Sequence, residues 1–349
     1  MRYMKRNVFI IAGIVALTAW QCSKSDRSNL SLKVSLEVSA DKINTAFDKI
    51  SASKGYELLS VTEADTKSDD SYGFRDSIDL ALIAGIYDFK PIAETTRHLY
   101  FPFRLFEKTG TSDELVVNLP ERLVFHPRHL HYYNKSDSAL KNNFTITASD
   151  YHFYYTWWNN YDYNLSADFT LDTKDVGAMN LFSSWKSGTA GKYSRSFTFP
   201  EGYSIAQSGQ TGDTAKIAFA LAQNEDTLLM ESLTFIGQDF KRKERQYILS
   251  IGKVDIKRTT GIDSIQVFLD GVLQKKAAAK IVDTEDANAS ICYKRDILLT
   301  FDDGTTSKLS ELISPSIETL RNLSRSLGEM YISKHIVDYI AFSIYYNNH

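Results

Sequence analysis

From residue 196 onward the chain breaks into short, apolar-rich pieces. They are Ser196 to Phe199, Lys216 to Ala222, Thr227 to Phe235, Gln246 to Val254, Ser264 to Leu269 and Asp296 to Phe301. Turn signals separate them, among them Gly209-Gln210-Thr211-Gly212, Asp270-Gly271 and Asp303-Gly304. Short apolar pieces separated by Asp-Gly and Gly-rich turns are the pattern of strands. The spacing predicts a mainly β fold with β-sandwich-like sheets. Twenty Tyr, twenty Phe and four Trp point the same way, because aromatic residues favour the pleated surface.

The first half reads similarly. Leu30, Leu32, Val34, Leu36 and Val38 alternate with polar residues, which predicts a half-buried strand. Strands are also expected at Tyr56 to Val61, Ser77 to Phe89, Phe144 to Tyr155 and Leu165 to Leu171. Pro91, Pro102, Pro120 and Pro127 punctuate shorter extended pieces at His98 to Phe106, Leu115 to Leu119 and Leu123 to His126. Two short helices are expected near residues 40–53 and 315–330, the second opened by Ser314-Pro315. A final strand is read from the alternation of Ile336, Ile340, Phe342 and Ile344. The Ser, Gly and Lys of Ser183 to Ser196 mark a boundary between β-rich halves 30–185 and 197–349, although a long hairpin loop in one continuous domain has the same composition.

Arg2, Lys5 and Arg6 precede an uninterrupted apolar run that begins at Val8, and Cys22 follows it closely. The run is too short for a helix that spans a bilayer, which takes about 20 residues. Residues 1–21 therefore read as a signal peptide. The cysteine at its end, followed by the polar tether Ser23 to Asn29, resembles the lipobox of bacterial lipoproteins. That resemblance implies cleavage before Cys22, acylation of its new amino terminus and thiol, and attachment to the cell envelope. With Ser23 rather than Asp after the cysteine it favours the outer membrane. Each buried methylene of such an anchor contributes about 0.8 kcal/mol, so two or three chains hold firmly. The other reading is an ordinary secretory peptide with an incidental cysteine.

Loss of three leader cations turns 40 basic against 43 acidic residues into 37 against 43, a net charge of about −6. With no Lys and Arg stripe interleaved with aromatics, nucleic acid is not an expected partner. Cys292 is the only other cysteine, so an acylated Cys22 leaves no intramolecular disulfide to form.

Four features could carry chemistry. Tyr151 to Tyr163 holds eight aromatic rings in thirteen residues. Trp157, Trp158, Tyr161 and Tyr163 are the rings expected to be exposed, beside Asn and Asp, as a platform that stacks on sugars; the alternative is a set of cross-strand core pairs. His126, His129 and His131 fall within six residues, and His129 and His131 would share one face of a strand as metal-binding pairs do; a solvent-facing loop is the alternative. Ser77, Ser138, Thr214, Thr227 and Ser264 each stand between an Asp and an apolar residue. That pattern resembles an O-glycosylation acceptor used on exported proteins by some Gram-negative bacteria, and polar residues leading into strands produce it too. Thr300 to Gly304 is similar to the first motif of polysaccharide deacetylases over five residues. No His-x-x-x-His metal motif follows it, and Asp303-Gly304 reads as a hairpin turn.

Neither Gly-x-Ser-x-Gly nor His-Glu-x-x-His occurs, and no cofactor is implied. The expected function is a lipid-anchored, non-catalytic binding protein for a glycan or an envelope protein. A structural or adhesin subunit of a surface assembly comes second and a hydrolase third.

Overall fold

The computed structural model describes residues 31–61, 77–90, 105–125, 140–156, 160–237, 244–262, 264–283, 295–329 and 336–348. The first elements are α1 (Leu32–Ser51), α2 (Lys54–Leu59), β1 (Ser77–Asp79), α3 (Leu80–Ile83), β2 (Gly85–Phe89), β3 (Phe106–Gly110), β4 (Leu115–Leu119) and α4 (Glu121–Phe125). The long strands follow: β5 (Phe144–Thr156), β6 (Asn160–Leu171), β7 (Lys174–Trp185), β8 (Lys192–Thr198), β9 (Tyr203–Gln210), β10 (Thr214–Gln223), β11 (Asp226–Ile236), β12 (Glu244–Ile251) and β13 (Val254–Thr259). Then come β14 (Gln266–Leu269), β15 (Val272–Leu273), β16 (Ala278–Asp283), β17 (Arg295–Thr300), β18 (Thr306–Lys308), α5 (Leu309–Leu312), α6 (Ser314–Glu329) and α7 (Asp338–Asn348). The fold is mainly β, as the turn spacing predicts.

β5 to β15 form one antiparallel meander in which every strand pairs with the next. On the other side of β5 lie β4, then β2 parallel to it, then β3, while β1 pairs with β5 farther along. β16, β17 and β18 make a second, three-stranded sheet, tied to the first by an Ile265–Ala279 bridge. The tight turns carry the residues their backbone requires: Asp270-Gly271 turns β14 into β15 with both φ positive, the geometry of a type I′ hairpin. Asp303-Gly304 closes the β17–β18 hairpin, with Phe301 N–H donating to Thr305 O. The stretch Ser183 to Ser196 carries the ends of β7 and β8 and the turn between them, and the ladder continues across it.

Five local expectations are corrected. Of the strand expected at Leu30 to Val38, Leu30 lies outside the described residues and Leu32 to Val38 opens α1. Leu32, Leu36, Ala40, Ile43, Phe47 and Ile50 are buried at helical spacing, while Val34 and Val38 of the apparent alternation are 39% and 46% exposed. Leu32 and Leu36 satisfy period 2 and helical spacing equally, so nine residues could not separate them; Ser31, accepting from Val34 N–H, caps the helix. Tyr56 to Val61 falls largely in α2, capped by Ser53. Ser77 to Phe89 is interrupted by the turn of helix α3. Leu123 belongs to α4, not to an extended piece. The final segment is α7, buried nearly all round: Ile336, Val337, Ile340, Ala341, Phe342 and Ile344 all lie in the core, and such a sequence has no polar face to betray a helix.

Among the described residues, α1, α2, α6 and α7 pack on one face of the sheet, and α3 touches β5. α2 lies against β7, α6 against β8 and β9, and α1 against β11, β12 and β13, while α7 touches β1 and β3. That face holds a row of fully buried residues, one per strand: Met179, Phe197, Ile205, Leu221, Leu229, Ile251 and Val254. A bulge at Ser149 resets the alternation of β5, which is why Phe144, Ile146 and Ala148 point inward and then Tyr151 and Phe153.

Candidate functional site

Tyr151 and Tyr163 lie on adjacent strands and both hydroxyls donate to Asp338 Oδ1, at 3.1 and 3.0 Å. Asp338 opens α7 and is itself buried, so one carboxylate pins the buried helix to β5 and β6. Burial pushes the phenols of Tyr151 and Tyr163 well above their ordinary value, and the negative charge of Asp338 adds to it, so both remain donors. Phe153 meets Phe342 of α7 edge-on at 5.0 Å, and Tyr161 stacks on Tyr163 at 6.1 Å and 8°. This is a structural lock: it offers no open position to a ligand.

Tyr163 is therefore not an exposed ring, contrary to the expectation from sequence; it is 1% exposed and its hydroxyl is taken. Tyr161 is half-buried at the edge of the lock. Trp157 and Trp158, His126, His129 and His131, Cys22 and Ser138 lie outside the described residues. Ser77, Thr214, Thr227 and Ser264 are exposed at strand starts, each followed by a residue packed on or in the core. No three metal-ligating side chains come together among the described residues.

A different set of side chains assembles farther along the helix-bearing face. Two rows beyond the buried row, strand pairing aligns Tyr163, Ser183, Tyr193, Gly209, Ile217, Leu233, Tyr247 and Arg258. Between the two rows stand Leu181, Arg195, Gln207, Phe219, Glu231 and Leu249. Alternation fixes these as inward positions, yet Ile217 is 48% exposed and Trp185, at the end of β7, 45%. Among the described residues the helices leave these positions partly uncovered, and a half-open rim of aromatic and polar groups results.

Its polar members are held in place. Arg195 donates to Leu327 O and, at 2.6 Å, to Gly328 O, satisfying carbonyls left over at the C-terminal end of α6, and its guanidinium lies 4.7 Å from the Tyr193 ring centre. Burial pulls that guanidinium below its ordinary value, while Tyr193 and Tyr161 oppose the change. Tyr193 in turn lies flat over Gly209, where any Cβ would overlap its ring. Tyr247 donates to Glu231 at 3.0 Å, and burial followed by the Glu231 charge raises its phenol. Gln207 Oε1 is buried without a hydrogen-bond partner.

The rim went unread in the sequence, although one signal was present. In Tyr193-Ser194-Arg195-Ser196-Phe197, alternation puts an arginine and a tyrosine on the same face as a core phenylalanine, and in β11 it puts Glu231 on the face of Leu229. Charged residues at core-type positions mark a face that is not wholly core. No family model, curated protein or solved structure matches this chain.

Proposed function

We propose that the chain is a bacterial envelope lipoprotein, anchored through acylated Cys22, whose β-rich body binds a glycan without catalysis along the rim of Trp185, Tyr193, Arg195, Gln207, Glu231 and Tyr247. The observation that carries this reading is the pairing of the exposed Trp185 ring and the half-buried Tyr193 and Tyr247 rings with fixed polar groups at inward sheet positions. Sugar rings present apolar C–H faces edged by hydroxyls, which such a surface complements by stacking and hydrogen bonding. Gln207 Oε1 supports it too, since a buried acceptor without a donor is what a ligand hydroxyl would satisfy. The rim offers such a surface on side chains other than Trp157 and Trp158, which lie outside the described residues, and the buried Tyr163.

A polysaccharide pulldown with the full chain and its Trp185→Ala/Tyr193→Ala variant tests the proposal. Loss of the rings is expected to weaken retention about tenfold or more, equivalent to about 1.4 kcal/mol. A retained polymer indifferent to both substitutions would remove the rim from consideration.

A further inference from the structure

We infer that the glycan taken by this rim is acidic, a polymer bearing carboxylates, and that Arg245 and Arg258 read its charge; the inference rests on the glycan-binding reading above. The register places both arginines on the inner face. Arg245 stands opposite Phe235, with its guanidinium 5.8 Å from the ring centre, and Arg258 stands opposite Tyr247. Tyr247 and Arg245 are two residues apart on β12, so Arg245 and Arg258 are diagonal neighbours across the β12–β13 ladder with the Tyr247 ring beside both.

Two like charges at diagonal positions repel unless an anion lies near. Among the described residues no carboxylate forms an ion pair with either, although both are exposed. Glu231, the inward acid on β11, accepts from the Tyr247 hydroxyl and forms no ion pair with either arginine among the described residues. The opposite face differs: Asp255 and Lys257 pair at 3.1 Å, and β6 carries Asp162 and Asp168 outward. A chain of net charge −3 thus gathers Arg195, Arg245 and Arg258 along one aromatic rim. Arginine suits this role, because its planar fork meets a carboxylate with two parallel hydrogen bonds and also stacks on rings.

The probe is polygalacturonate together with its fully methyl-esterified form, which keeps the sugar chain and removes the charge. The full chain, purified in a non-ionic detergent, is expected to retain polygalacturonate at least about tenfold more tightly than the ester. That preference should vanish in Arg245→Ala/Arg258→Ala and in about 1 M NaCl, where the Debye length is about 3 Å. Residual binding of the ester should survive in that variant and disappear in Trp185→Ala/Tyr193→Ala. Equal retention of both polymers would overturn the acidic preference and leave glycan binding standing. Failure to retain either would overturn both readings. Binding to phosphatidylglycerol vesicles but not to polygalacturonate would reassign the arginines to a lipid surface. Circular dichroism of each variant separates lost contacts from lost fold.

Discussion

The lock of Tyr151, Tyr163 and Asp338 predicts an alkaline signature that can be worked from the structure. A phenol held neutral by burial has a folded pKa above its unfolded value near 10, so its contribution is fully present below pH 10 and is lost as pH rises beyond it. There the unfolded chain releases the proton first. The slope is about 1.4 kcal/mol per pH unit for each such tyrosine, or about 2 kcal/mol accumulated by pH 11.5. Tyr163→Phe has two opposed effects. Near pH 7 it removes a hydrogen bond to a carboxylate, costing about 1.5–3 kcal/mol. In alkali it removes one of the tyrosines responsible for the decline. The wild-type and Tyr163→Phe stabilities, measured by urea unfolding followed by circular dichroism from pH 7 to 11.5, should therefore differ by about 2 kcal/mol at neutrality and converge within about 1 kcal/mol at the alkaline end. Parallel curves with a constant gap would refute the claim that Tyr163 is a buried neutral donor.

Leu36→Ala should cost about 2–5 kcal/mol while Val34→Lys changes stability by less than about 0.5 kcal/mol, because only the first points into the core; equal effects would return the segment to a strand. Gly209→Ala drives a methyl into the Tyr193 ring, so glycan retention should fall as it does in Trp185→Ala/Tyr193→Ala with far-UV circular dichroism unchanged; unaltered retention would release Tyr193 from the site. Cys22→Ser should abolish incorporation of radiolabelled palmitate and leave the protein in the soluble fraction of the envelope. Label persisting in that variant would sink the anchor.

What the sequence disclosed follows from which physical signals are local. Strands β10, β11 and β17 were legible, and Asp270-Gly271 and Asp303-Gly304 turn where they were expected to, whereas the expected strand Gln246 to Val254 overruns the Gly252-Lys253 turn between β12 and β13 and the expected turn at Gly209-Gln210 is the end of β9. α1 and α7 were not. In α1 the spacing of Leu32 and Leu36 suits both periods, and α7 from Asp338 to Ile344 is enclosed on nearly every side, its polar Asp338 and Ser343 buried with the rest. Period arguments need a polar face to work with, and α7 has none. The aromatic run was visible, but its division into inward and outward rings depends on the Ser149 bulge, which nothing local announces. The rim needs more still, since its rows exist only once eight strands are in register. Arg195, Gln207 and Glu231 are unremarkable within their own strands and become neighbours only across the ladder.

The same arrangement explains why a half-open face is compatible with a stable sheet. An inward arginine under a helical layer would be a buried charge without water, an expensive state unless it is paired. Arg195 escapes that penalty by standing where α6 ends: its guanidinium takes the carbonyls of Leu327 and Gly328, which the helix cannot satisfy, and keeps Tyr193 beside it. On the other flank, Asp338 begins α7 and takes both tyrosine hydroxyls, so the second helix is fixed through its first residue. One helix is thus held at its last turn and the other at its first, each by a charged group that doubles as a tie to the sheet. Both ties are made on β5, β6 and β8, while α1 packs on β11 to β13 over the buried Leu229, Ile251 and Val254 and leaves Ile217, Tyr247, Arg245 and Arg258, farther along the strands, half-buried or exposed. The rim is thus open at one end of the strands rather than at one edge of the sheet.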